Sequence, residues 1–318
     1  MKRKLTMLAA IGAAIMSANA AASCGSAFCT TNTSWETQGL WSGAGTRVDL
    51  RFEYVRQDDL RSGSHRVAPA GKEGEDDELR STNRNWLLSV EHSFDENWGF
   101  AVNLPFVDRT HLHIANDPGT EPTLERWDFS RLGDARVIGR YQFSQSDPQS
   151  AATGLHFGLK LPTGAHDVAN SDGEIAERAL QPGTGTTDLV LGIYANGNFT
   201  EGKSGWFAQA SLQQPLNSKD DFRPGRQIHL DAGYRRQLAT SVDGLLQLNL
   251  HTKQRDSGAE AEPDNSGSTF VSLSPGLSWA VSRDTRVYAF AQVPLYRHVN
   301  GIQLTAKWSA VGGFSYAF

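Results

Sequence analysis

From Ile302 to the end of the chain, apolar and polar residues alternate. Ile302, Leu304, Ala306, Trp308, Ala310, Gly312, Phe314, Tyr316 and Phe318 share one face. Gln303, Thr305, Lys307, Ser309, Val311, Gly313, Ser315 and Ala317 share the other. A period of two belongs to an extended strand with one apolar face. The stretch far exceeds the usual strand of about 5–6 residues and suits a tilted strand that crosses a bilayer. On a soluble protein, so long an aromatic edge would invite aggregation. The alternation recurs upstream. Val48, Leu50, Phe52 and Tyr54 oppose Arg47, Asp49, Arg51 and Glu53; Leu155, Phe157, Leu159 and Leu161 oppose His156, Gly158 and Lys160. Leu189, Leu191 and Ile193 oppose Asp188; Ile228, Leu230, Ala232 and Tyr234 oppose His229, Asp231 and Arg235.

This pattern predicts twelve strands, at 46–57, 83–93, 98–113, 133–143, 153–162, 186–197, 205–216, 226–237, 242–254, 268–280, 285–296 and 302–318. The connections between them alternate. Long ones fall at 58–82, 114–132, 163–185, 217–225 and 255–267, and most of the others are tight turns. Bacterial barrels keep short turns in the periplasm and long loops outside. Phe94, Trp98, Phe143, Trp206, Tyr234 and Trp279 all fall at short-turn ends, with Phe314, Tyr316 and Phe318 at the terminus. Amphipathic rings favour the headgroup level, so they read as a girdle. The expected fold is all-β: a transmembrane antiparallel β-barrel of about twelve strands in a Gram-negative outer membrane.

The start of the chain agrees. Lys2, Arg3 and Lys4 precede an apolar run from Leu5 to Met16, and Ala18-Asn19-Ala20 is a small-residue cleavage site. That is a secretory signal peptide. The expected organisation is a leader at 1–20, a periplasmic segment at 21–45 and the barrel at 46–318. A mean hydropathy of -0.43 would suit a soluble protein, but a barrel needs only alternate residues to face lipid. Removing the leader's three cations takes the formal charge from -5 to -8. That balance excludes general nucleic-acid binding, which needs a basic footprint. Cys24 and Cys29 are the only cysteines. An oxidising periplasm favours a disulfide between them; a metal site or a lipid on Cys24 is the lesser alternative.

Leu132-Gly133-Asp134 precedes a strand. Gly158 to Gly164 reads G-L-K-L-P-T-G, and Gly183-Thr184-Gly185 leads to Thr187-Asp188-Leu189. These motifs resemble those of the outer-membrane barrel family named after the meta-cleavage pathway of phenol degradation, over roughly residues 90–318. The resemblance implies a transporter and carries over no catalytic residues. The motifs also read as turns, since Pro162 cannot donate to a ladder and no helix follows the glycines to cradle a phosphate.

Inward faces carry Arg47, Asp49, Arg51, Glu53, Lys160, Asp188, His229, Asp231, Arg235, Lys253 and Lys307. Polar linings suit a water-filled lumen; a salt-bridged closed barrel is the alternative. His111 and His113 share a face with Arg109, and His65, His166 or His298 from loops would complete a metal site. The expectation is no metal and no cofactor. The acidic run from Glu73 to Glu78 reads as a solvated loop. Ser89 and His92 lie on opposite faces and no G-x-S-x-G occurs, so no enzyme is expected. The expected function is a channel for small solutes, hydrophobic or aromatic compounds among them. The alternative is a closed barrel that acts through its loops or N-terminal segment. Expected partners are outer-membrane lipids, lipopolysaccharide, the assembly machinery and the solute.

Overall fold

The computed structural model describes the backbone of Ser23–Cys24 and residues 27–318, apart from 36, 41–42, 75, 144–150 and 200–201. The expected leader at 1–20 lies outside the described residues. Among those described, the strands run β1 (Ser23–Cys24), β2 (Gly45–Gly63), β3 (His65–Arg66), β4 (Asp77–Ser93), β5 (Trp98–Ala115), β6 (Thr123–Leu132) and β7 (Arg136–Gln142). They continue as β8 (Ala152–Lys160), β9 (Asp188–Asn198), β10 (Ser204–Pro215), β11 (Gln227–Ala239), β12 (Val242–Lys253), β13 (Ser268–Ala280) and β14 (Thr285–Ala317).

Neighbouring wall strands pair antiparallel. The sheet closes where β14 meets β2, from Leu304 opposite Leu60 to Ala317 opposite Arg47. Closure removes the exposed edges. β14 is a hairpin that turns back at Gly301, whose φ is 57°, a conformation glycine adopts freely. Its first arm pairs with β13 and its second with β2. β6 and β7 follow one another along β5, with Leu132 opposite Phe106 and Arg136 opposite Asn103. With both arms counted, and β6 and β7 taken as one strand, the wall has the twelve strands expected.

Burial is inverted relative to a soluble protein. Leu50, Phe100, Leu104, Leu191, Leu248 and Phe314 stand exposed on the outer face, while Asn83, Asn85, Asp188, Gln247 and Asn249 are buried. Soluble folds sort the other way. A barrel that meets lipid outside and encloses polar groups sorts like this. Trp98, Trp279, Tyr316 and Phe318 are exposed at the short-turn end. There Thr46 and Phe318 exchange backbone hydrogen bonds of 2.9 and 2.8 Å.

Two expectations change. The connection at 114–132 is mostly strand: β6 extends β5's pairing upward, with Trp127 and Phe129 buried and Arg126 and Asp128 exposed. Arg126 and Asp128 pair with each other on the outer face. The second change concerns β14, whose register shifts between Thr305 and Ala306 and again before Ser309. A bulge adds a residue to one strand and swaps the faces of the residues beyond it. Leu304, expected to face lipid, is 1% exposed and packs with Leu60, Val107, Trp127 and Leu180. Lys307, expected in the lumen, is on the outer surface and bonds Asp58 at 2.9 Å. Leu304→Ala should therefore cost about 2–5 kcal/mol, and Lys307→Gln no more than about 1 kcal/mol, as for a surface pair. Thermal melts of both variants in detergent check this. Equal losses would return Lys307 to the interior.

Candidate functional site: the lumen and its mouth

The lumen is not empty. Residues 27–35 and 37–40, expected in a periplasmic segment, run inside it. Trp35 donates its indole N–H to Ser315 Oγ at 2.9 Å and packs edge-on to Tyr288 at 4.9 Å between ring centres. Higher up, Asn32 N donates to Gln247 Oε1 at 3.1 Å, and Gln247 Nε2 donates back to Asn32 O at 2.8 Å. Thr31 bonds Ser274 at 3.2 Å, and Thr30 Oγ1 accepts from Gln292 Nε2 at 3.0 Å. Cys29 N donates to Glu53 at 3.2 Å, and Asn85 Nδ2 donates to Ala27 O at 3.0 Å. Phe28 reaches the apolar cluster around Leu60. As the segment's numbers fall, its partners on β2 rise, so the chain climbs from the periplasmic end toward the mouth. Beyond it, Ser23–Cys24 pairs parallel with Gln303–Leu304. An extended chain in a buried space needs partners for its backbone N–H and C=O groups, and the polar lumen supplies them at Ala27, Cys29, Thr30, Thr31 and Asn32. The run Thr30-Thr31-Asn32-Thr33-Ser34 was the available signal, too polar for lipid and rich in short hydrogen-bonding side chains.

The charged row of β2 serves this segment. Arg51 donates to Thr31 O at 3.1 Å and to Thr33 Oγ1 at 3.0 Å, and pairs with Glu53. Asp49 accepts from Tyr288 OH at 2.8 Å, and Arg47 pairs with Glu91. Asp231 accepts from Asn249 at 2.6 Å and Gln209 at 2.9 Å. His229 stacks on His251 at 4.5 Å. Arg235 reaches Asn198 at 2.8 Å near the periplasmic rim, and Lys253 bonds Asp256 at 2.8 Å near the mouth. The structure thus spreads these residues over the whole lumen. It does not form the expected disulfide. Cys29 is a free, buried thiol bonded to Thr31 at 3.2 Å and Gln292 at 3.3 Å. The side chain of Cys24 lies outside the described residues.

Lys160 and Asp188 belong to a different feature. The long connection between β8 and β9, residues 161–187, folds inward, with Ala176 and Leu180 buried. Lys160 Nζ lies 2.8 Å from Asp134 and 3.4 Å from Asp188, and donates to Thr186 at 3.3 Å. Asp134 also accepts from Gly164 N at 3.1 Å and Thr184 N at 2.9 Å. A Cβ on Gly164 would lie 2.8 Å from backbone atoms of both Gly133 and Gly183. Segments far apart in sequence, G-D, L-P-T-G and G-x-G-x-x-D, thus meet in one latch at the base of the loop.

Residues 79–296, which contain these motifs, match the family described as "Putative MetA-pathway of phenol degradation". The chain belongs to this family. Its structure is similar to the COG4313 outer membrane channel from Pseudomonas putida F1, at 12% identity and a TM-score of 0.68, covering 91% of this chain and 100% of that one. It is also similar to the NanC porin, at 12% identity and a TM-score of 0.45, covering 85% and 98%. No curated protein sequence matches it. The fold is that of an outer-membrane barrel, and the wall chemistry above agrees with that membrane.

At the mouth this family member carries a buried acidic group. Glu78, expected in a solvated loop, is 1% exposed and faces inward, because the ladder shifts register between Glu78 and Arg80. His111 and His113 point into the same space from β5, and Trp127 packs 4.8 Å from His113. Glu177 comes down from the folded loop, with Glu262 from the connection at 254–267 close by. Burial, then Asp76 and Asp256, pushes Glu262 up to about 8. Burial, then Glu262, Glu78 and Asp76, raises Glu177 well above the usual carboxylate range.

Proposed function

We propose that the barrel is an outer-membrane channel for small hydrophobic or aromatic solutes, with residues 27–40 as its plug. The observation that supports the solute class is a cleft in the wall at β14. Phe28, Val55, Phe270, Pro294, Ala306 and Trp308 give it an apolar lining. Trp308 is half exposed on the outer face, whereas Phe28 belongs to the plug, so the cleft touches both sides of the wall. The wall is irregular here for local reasons. Pro294 has no N–H to give a ladder, and bulges displace the second arm of β14. Side chains meet carbonyls around this break: Arg297 donates to Ala306 O at 2.8 Å, Thr305 to Asp59 O at 3.0 Å and Gln57 to Leu304 O at 3.3 Å. An apolar solute finds here a surface unlike the charged rows lower in the lumen. Lipopolysaccharide around the rim, and assembly machinery that engages the C-terminal strand, belong to the same reading.

A second reading, a closed barrel with a structural or partner-binding role, draws on the many hydrogen bonds that hold the plug. Uptake separates the two. Cells producing the barrel should accumulate a radiolabelled monocyclic aromatic faster than cells without it. Ala306→Trp, which fills the cleft, should bring uptake back to the level of cells lacking the barrel, with normal amounts of heat-modifiable protein. Equal uptake with and without the wild-type barrel favours the closed reading.

A further inference from the structure

We propose that Glu78, His111 and His113, with Asp76 and Glu177, bind a divalent transition-metal ion of the zinc class at the mouth, and that the ion clamps the 161–187 loop over the lumen. One donor atom from each of Glu78, His111 and His113 lies within 4.8 Å of the other two, and the same holds for Asp76, His113 and Glu177. His113 belongs to both groups. Ligands around zinc at about 2.0–2.2 Å stand roughly 3–3.5 Å apart, and Glu78 Oε2 already lies 3.4 Å from His111 Nε2.

Glu78, His111 and His113 are buried, Asp76 and Glu177 are partly buried, and all five surround this space. Neither carboxylate oxygen of Glu78 has a hydrogen-bond donor, although the side chain is 1% exposed. Both carboxylate oxygens of Glu177, and Nδ1 of His113, are buried without a hydrogen-bond partner as well. Buried carboxylates this close need a counter-charge or protons. Among the described residues, no Lys or Arg forms an ion pair with Glu78 or Glu177.

The surrounding groups orient the imidazoles for ligation. Glu125 Oε2 lies 3.0 Å from His113 Nε2. A carboxylate there holds the proton on Nε2 and leaves the Nδ1 lone pair for an ion, an arrangement common behind metal-bound histidines. Ser81 Oγ, 2.7 Å from His111 Nδ1, plays the same part and turns Nε2 toward Glu78. Two imidazoles with carboxylates suit zinc-class ions better than calcium or magnesium, which take oxygen ligands. The donors come from β4 and the residue just before it, from β5, and from the loop that carries Leu180 into the apolar cluster of the mouth. An ion held by all of them ties that loop to the wall.

The test uses the full barrel in detergent, stripped with a chelator and titrated with zinc chloride by calorimetry. One ion should bind per chain. His113→Gln should abolish that binding. Glu125→Gln should weaken it about 10–100-fold, as loss of a supporting carboxylate does. His65→Gln, in exposed β3 outside the cluster, should leave it unchanged. Zinc should also slow proteolysis within 161–187 in the wild type and not in His113→Gln. If His113→Gln fails the heat-modifiability check for folding, Glu177→Gln on the loop carries the same test. A folded wild-type barrel that takes up no stoichiometric zinc overturns the site. So does a folded ligand variant that binds as tightly as the wild type. Binding without loop protection overturns the clamp.

Discussion

A barrel lacking residues 27–40 should conduct ions in discrete steps several-fold larger than those of the intact chain. A twelve-strand wall encloses more room than an eight-strand barrel, whose interior its own side chains fill. Here a length of main chain occupies the extra space. It is held by side chains of Arg51, Glu53, Gln247, Ser274 and Gln292, from four strands around the lumen. These bonds are polar, and water replaces them at modest net cost, about 0.5–1.5 kcal/mol each. The wall ladder takes no part in them and should survive the deletion. Planar-bilayer recording of intact and deleted protein, each checked for heat-modifiability, gives the comparison. Unchanged steps from a folded deletion would mean that the segment does not limit conduction.

The second large effect is expected at the latch. Lys160→Met should destabilise the barrel by about 3–5 kcal/mol, because it leaves buried carboxylates without their cation. Asp134 and Asp188 lie 2.8 and 3.4 Å from the ammonium, and both are buried. Loop 161–187 should loosen at the same time, since Asp134 also holds Gly164 and Thr184. Urea midpoints in detergent read the stability, and limited proteolysis reads the loop. Adding Asp134→Asn and Asp188→Asn to Lys160→Met should restore part of the loss, because neutral side chains do not demand a counter-charge. A triple variant less stable than the single would assign the cost to lost packing instead.

Much of the barrel was legible in the chain. Alternation is a local property of an extended backbone, so the facing of Arg47, Asp49, Arg51 and Glu53 against Leu50 and Phe52 needs no knowledge of the rest of the fold. The long and short connections, the aromatic end and the strand count come from the same reading. The family motifs were visible as turn residues, but not their meeting. Gly133, Gly164 and Gly183 become neighbours only when a long loop folds back on its own strand ends.

The remaining features were decided where distant segments meet. A bulge shifts the facing of Leu304 and Lys307 because β14 must stay in register with β2 around a closed wall, and no alternation in β14 alone records that constraint. Residues 27–40 look like a periplasmic tail until a lumen exists that can satisfy their backbone groups. Glu78 looks solvated within an acidic run, yet a register shift beside β5 turns it toward His111 and His113. Sequence determines which side of its own strand a residue occupies. The groups it faces across the lumen depend on closure and on loops that return to the mouth, and only the tertiary structure supplies those.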